Sequence, residues 1–208
     1  MAGGAGVGGD PRGEFRPDFP RGAEFVDSGS GFTRRAADAY LRIRNSPEEA
    51  AIVAANTGID PAVVARMHRN LFVEEHDIAL GPDWVERGYF TPDDDIADMW
   101  EGAVRGGLSA DESLDFRALV AHEYVENKLM EAGFPYRSSH PDSFNAEGDS
   151  IVNPADPGAH DLAPNAWRPE APLAHWSAFG LRGDELEIAP DLSNLDEIVD
   201  AALRGWER

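Results

Sequence analysis

Between Ser109 and Gly133 the chain carries one uninterrupted stretch of helix grammar, and few folds accept a segment of that kind. Ser109-Ala-Asp-Glu112 is a capping-box pattern, with a hydroxyl and a carboxylate spaced to satisfy the first free backbone N–H groups. Gly133 and Pro135 close the far end. The spacing predicts a helix over roughly 110–132, with an apolar stripe of Leu114, Ala118, Ala121, Val125 and Leu129. A helix this long needs other elements to cover that stripe.

The covering elements also read as helices. Residues 33–44 carry Tyr40, Leu41 and Ile43. Ser46-Pro47-Glu48-Glu49 opens a second helix that ends at Gly58. Asp60-Pro61 opens a third, with Val63, Val64, Met67 and Leu71 at helical spacing. Thr91-Pro92-Asp93-Asp94-Asp95 opens a fourth, in which the aspartates complement the helix dipole. Ser193 begins a last helix carrying Leu195, Ile198, Val199, Ala202 and Leu203, over 193–207. Alternating β-branched runs are few, and Leu186-Glu-Ile188 is at most a short strand.

The expected fold is therefore mainly α, a compact multi-helix domain over 32–208 with its core in 33–133. Residues 134–180 contain seven prolines and no periodicity, so they read as a long irregular loop draped over the helices. Residues 1–31, rich in Gly and broken by Pro11, Pro17 and Pro20, read as a flexible lead. The run Gly3–Gly9 lacks the Gly-Lys-Ser/Thr that a phosphate loop needs.

Charge narrows the partners. The chain has 18 basic and 39 acidic residues in 208, a formal net charge of -21, and Lys128 is its only lysine. Such a surface repels polyanions and acidic membranes, so nucleic acid is expected only as an active-site substrate, while a basic protein is a favoured partner. With no cysteine, thiolate catalysis and Cys-based zinc sites are excluded. No apolar run approaches the length of a membrane span, and the first ten residues lack a secretory signal's basic and apolar regions. The expected location is cytoplasmic, or outside the cell by a route that needs no signal peptide.

The chemistry-bearing motif lies inside the long helix. His122 and Glu126 are i,i+4 neighbours on one face, and Glu123 is about 100° round from His122. In an acidic chain this spacing also describes an ordinary solvated helix face. Its position beside Ala121 and Val125, at the edge of the buried stripe, favours a cleft. The second ligand is Glu126 where the zincin pattern HExxH has histidine, so a zinc or manganese ion needs a further ligand from elsewhere. His160 and His76 are the candidate donors; His68, His140 and His175 have weaker contexts.

The order of these motifs resembles a domain found at the C-termini of bacterial polymorphic toxins and toxin-like secreted proteins. The resemblance rests on Phe72 and His76, on Phe90, Asp93, Asp95, Ile96, Ala97 and Trp100, on His122, Glu123 and Glu126, and on Ala159-His160. It spans roughly residues 60–165. The chain departs from that pattern at Asn70, where the family has histidine, and in a longer insertion before His160.

The resemblance implies a toxin or effector context and a functional site of His122, Glu123, Glu126 and His160. The expected activity is that of a hydrolase, with His122, Glu126, His160 and His76 binding a divalent metal or carrying acid-base chemistry and Glu123 activating water. A phosphodiester is the first expected substrate, although the net charge opposes it. The alternatives are a non-enzymatic acidic interaction protein, of an immunity-like or masking kind, and a particle-associated structural domain.

Overall fold

The longest helix is also the one the others pack around. In the computed structural model, which describes residues 24–29 and 31–206, α5 spans Ala110–Glu131 and carries the predicted capping box. Before it come α1 (Arg34–Arg44), α2 (Glu49–Thr57), α3 (Pro61–His68) and α4 (Asp94–Arg105). After it come a four-residue helix, α6 (Ala159–Leu162), and α7 (Leu195–Trp206). Helix α5 packs against α3, α6 and α7, while α2 bridges α3 and α4. The fold is mainly α. Among the described residues no helix is long and apolar enough to cross a membrane.

The start signals act as their chemistry requires. The Thr33 hydroxyl accepts from Ala36 N–H, the Asp60 carboxylate from Ala62 and Val63 N–H, and the Asp93 carboxylate from Asp95 and Ile96 N–H. Helix α2 begins at Glu49, two residues inside Pro47, and ends at Gly58 with φ 72, a left-handed conformation that costs glycine nothing.

Several sequence expectations need correction. Leu114 is not on the buried stripe: it is 50% exposed, because the first turns of α5 project beyond the body, and Phe116 takes the core position. The segment around Leu186 and Ile188 forms no strand. The one sheet among the described residues is instead an antiparallel hairpin, β1 (His76–Gly81) and β2 (Trp84–Gly88), with His76 opposite Gly88. Its strands are too short and too polar to stand out from the helical pattern around them.

Residues 1–23 of the expected lead, with its Gly3–Gly9 run, and Ser30 lie outside the described residues. Residues 24–29, which the sequence pattern assigns to that lead, lie against the body. Val26 N–H donates to the Tyr89 carbonyl at 2.9 Å, Val26 is buried, and the Phe25 ring meets Phe32, Tyr40 and Tyr89 edge-on. A Cβ at Gly88 would stand 2.7 Å from the Glu24 carbonyl oxygen, so glycine permits this approach.

The proline-rich segment after α5 is mostly exposed or half-buried but anchors itself in the core at a few points. Ala159, Leu162, Leu173 and Trp176 from it all enter the core. The Trp176 indole N–H donates to the Leu162 carbonyl at 2.8 Å and so ties the end of α6 to the body. In this way the irregular segment carries His160 over the middle of α5.

Candidate metal centre

Helix α5 is buried on nearly every side between Ala118 and Asn127, which is unusual for a stretch holding His122, Glu123, Glu126 and Asn127. These residues are 7%, 6%, 1% and 4% exposed. Buried polar groups on this scale require partners. They have them, in two layers.

The first layer is a triangle of donor atoms. His122 Nε2 lies 3.2 Å from Glu126 Oε2 and 3.1 Å from His160 Nδ1, and His160 Nδ1 lies 2.9 Å from the same Glu126 Oε2. The i,i+4 spacing supplies two corners from α5, and α6 supplies the third. The three atoms lie a few tenths of an ångström closer together than donors that share an ion, since at about 2.0–2.2 Å from a tetrahedral zinc ion neighbouring donors stand roughly 3.3–3.6 Å apart, so a small outward shift of the side chains would seat a cation.

The histidines are oriented for that role. The Pro164 carbonyl lies 2.8 Å from His122 Nδ1 and can only accept, so Nδ1 carries a proton and Nε2 is the nitrogen that faces the triangle. Helix α6 is set by backbone: Ala159 N–H donates to Pro135 O at 2.8 Å and His160 N–H to Tyr136 O at 3.1 Å. Gly158 makes this seating possible, because a Cβ there would run into the Tyr136 carbonyl oxygen and Arg137 Cα.

The second layer holds the carboxylates. The Asn70 amide Nδ2 donates to Glu123 Oε2 at 2.8 Å and to Glu126 Oε1 at 3.3 Å. Asn70 is fully buried in a π-helical turn, Arg69–Val73, that continues α3. Such turns reposition side chains relative to an α-helix and are frequent at functional sites. Asn127 Nδ2 donates to Asn70 Oδ1 at 2.9 Å, and Arg66 Nη1 donates to Asn127 Oδ1 at 2.6 Å.

Electrostatics follow from this burial. Desolvation disfavours the His122 cation, but its hydrogen bond with Glu126 and the nearby carboxylates outweigh that and raise its pKa to about 9. Glu126 is also opposed by desolvation, yet hydrogen bonds from His122 and His160 hold it below the usual carboxylate range. Glu123 keeps the desolvation effect, reinforced by the Glu126 charge, and is raised to about 8. Burial lowers His160. Burial, then the Glu126 charge, raises Tyr136, so its hydroxyl stays protonated.

The centre opens into a cleft of about 790 Å³. His122, Glu123, Glu126 and His160 line it, with Tyr136, Arg137, Asp93 to Asp95 and Trp167 among the other walls. Trp167 is 69% exposed, so its indole face is available to a visitor.

The structure thus brings together four of the five sequence candidates. His76 is separate from the triangle. Its Nε2–H donates to the Asn70 carbonyl at 2.9 Å and its ring stacks on Phe90 at 4.3 Å, so it supports the turn that carries Asn70 instead of ligating. Asn70, Asn127, Tyr136 and Arg137 were not among the candidates. Asn70 gave little signal, since the run Met67-His68-Arg69-Asn70-Leu71-Phe72 around it mixes polar and apolar residues.

Compared with known protein families, characterised proteins and solved structures, the chain matches none.

Proposed function

We propose that the chain is a metal-dependent hydrolase of the toxin or effector kind, with its cation on His122, Glu126 and His160. One observation carries this reading: three donor atoms, from two histidines and a glutamate, lie 2.9–3.2 Å apart at the wall of a cleft. Two histidines and one carboxylate form a catalytic zinc set that leaves a coordination position for water, and manganese accepts the same donors. The helix retains the logic of HExxH, with ligands at i and i+4 and a glutamate at i+1. The histidine and glutamate have exchanged places between the i+4 position and the downstream ligand.

A bound cation polarises the scissile group and lowers the pKa of water. The residues supply the rest. Glu123, whose raised pKa a nearby cation would lower again, would accept the proton of the attacking water and return it to the leaving group. The Tyr136 hydroxyl and the Arg137 guanidinium, both on the cleft wall, are donors for the negative charge that develops on the substrate.

The lining bears on the substrate. Asp93, Asp94 and Asp95 share the cleft with Arg137, the one Lys or Arg among its described walls. A phosphodiester polymer is bound by clustered cations, so this lining favours an uncharged or basic peptide over the nucleic acid that toxin-like chains suggest.

Metal content by elemental analysis, with hydrolysis assays on peptides and on oligonucleotides, tests the proposal. The expected result is one zinc or manganese per chain, and activity lost with it in His122→Ala while the circular dichroism is unchanged. Full activity in His122→Ala would refute the reading.

A further inference from the structure

We propose that Asn70 is the positioning residue of this centre: its amide engages one oxygen of each carboxylate, Oε2 of Glu123 and Oε1 of Glu126, and so leaves Glu126 a single oxygen, Oε2, for the cation. The inference rests on the metal reading above and concerns how the two carboxylates divide the work.

A carboxylate beside a cation can bind through one oxygen or both. Glu126 Oε2 is the oxygen within 3.2 Å of both histidine nitrogens, and Oε1 turns to Asn70 Nδ2. With Oε1 engaged, the positions facing the cleft stay open for water and substrate. The same Nδ2 holds Glu123 Oε2 at 2.8 Å, which keeps that carboxylate beside the centre as a base and off the cation. One planar amide therefore fixes both groups at once.

Asn70 can do this because it cannot turn. An amide flip would present Oδ1 to two carboxylates, and Asn127 Nδ2 opposes the flip by donating to Oδ1 at 2.9 Å. Arg66 fixes Asn127 in turn and is itself paired with Glu131 at 2.7 Å. The main-chain carbonyl of Asn70 accepts from His76 at 2.9 Å. Loss of an outer partner of this kind typically costs about 10- to 100-fold in metal affinity or activity.

Cobalt(II) titration of the full chain and of Asn70→Ala, followed by visible absorption, tests the assignment. The parent is expected to bind one cobalt(II) with the intense absorption of a four-coordinate ion. The variant is expected to bind about 10- to 100-fold more weakly, with weaker absorption as Glu126 turns both oxygens to the ion. A residue that only supports the fold would lower Tm and leave the spectrum unchanged. That result, or parent-like affinity and spectrum, overturns the inference while leaving the metal centre standing. A parent that binds no cobalt(II) overturns both. If Asn70→Ala does not fold, a crystal structure of the zinc-loaded parent decides. Glu126 Oε1 on the Asn70 amide supports the assignment, and both Glu126 oxygens on zinc refute it.

Discussion

His68 and His122 are both buried, both on helices, and each gives a ring N–H to a main-chain carbonyl, Ile43 for the first and Pro164 for the second. Their surroundings differ. His68 lies among rings, 5.7 Å from Phe72 and 5.3 Å from Trp100 between centroids. His122 turns its remaining nitrogen to Glu126 and His160. A satisfied histidine in an aromatic core is a packing residue with one hydrogen bond. The same side chain beside a second histidine and a carboxylate forms a site. Burial does not separate the two cases; what the second nitrogen faces does.

The contrast is broken most directly by removing each histidine in turn. His122→Ala is expected to take metal from one ion per chain to none. Activity should fall by more than the about 100-fold that loss of an outer partner costs. His68→Leu is expected to leave metal content unchanged and to lower stability by about 1 kcal/mol, the loss of one hydrogen bond, since the Ile43 carbonyl still accepts from Ser46 N–H. Chemical denaturation and elemental analysis of both variants measure the difference. Equal metal loss in the two would erase the distinction.

Gly158→Ala attacks the same region from the backbone. The added methyl meets the Tyr136 carbonyl and Arg137 Cα, which belong to the main chain and cannot rotate away. A cost of about 1–3 kcal/mol is expected. Helix α6 carries His160, so its displacement should also weaken metal binding, which calorimetry with zinc would register. An equivalent glycine substitution without such a clash, Gly107→Ala, should leave zinc affinity unchanged.

The two histidines also predict opposite pH slopes for the metal-free protein. His122 is raised from 6.5 to about 9, so the folded state holds its proton longer than the unfolded state. Its contribution is complete below pH 6.5 and lost as pH rises through 9. Glu123, raised from 4.5 to about 8, slopes the same way, since ionising it in the folded state is costly. His68 is lowered by burial, so its cost appears on the acid side, as pH falls through 6.5. The net expectation is a loss of a few kcal/mol between pH 6.5 and 9, since each tenfold change in proton affinity corresponds to about 1.4 kcal/mol. Zinc should flatten or invert that slope, because a ligand nitrogen must shed its proton to bind. Urea midpoints across pH, with and without zinc, give both curves.

The sequence announced these regions unequally. The helices were legible because Ser109, Asp60, Asp93 and Gly58 act through local backbone chemistry within a few residues. His122, Glu123 and Glu126 were legible for the same reason, being one turn of one helix. His160 could be nominated but not placed, since its distance from Glu126 depends on 33 intervening residues packing as they do. The role of Asn70 was not legible, because it depends on a π-helical turn and on partners 53 to 57 positions away. Leu114 misled for the converse reason: periodicity gives the face of a helix but not how far a neighbour extends along it.

His76 provides the mildest way to sharpen the comparison. It is buried like His68 and His122, it lies beside the site like His122, and sequence order nominated it as a ligand. Its geometry is that of His68: a ring N–H given to a carbonyl, that of Asn70, and a face stacked on Phe90. His76→Phe keeps the stacking and deletes one hydrogen bond, worth about 1 kcal/mol. Because that bond steadies the turn carrying Asn70, a small drop in activity is expected, with metal content unchanged. Stoichiometric zinc in His76→Phe confirms a three-residue ligand set. Loss of zinc there would add His76 to it, and nearness to the site would then outweigh the direction in which the ring nitrogen points.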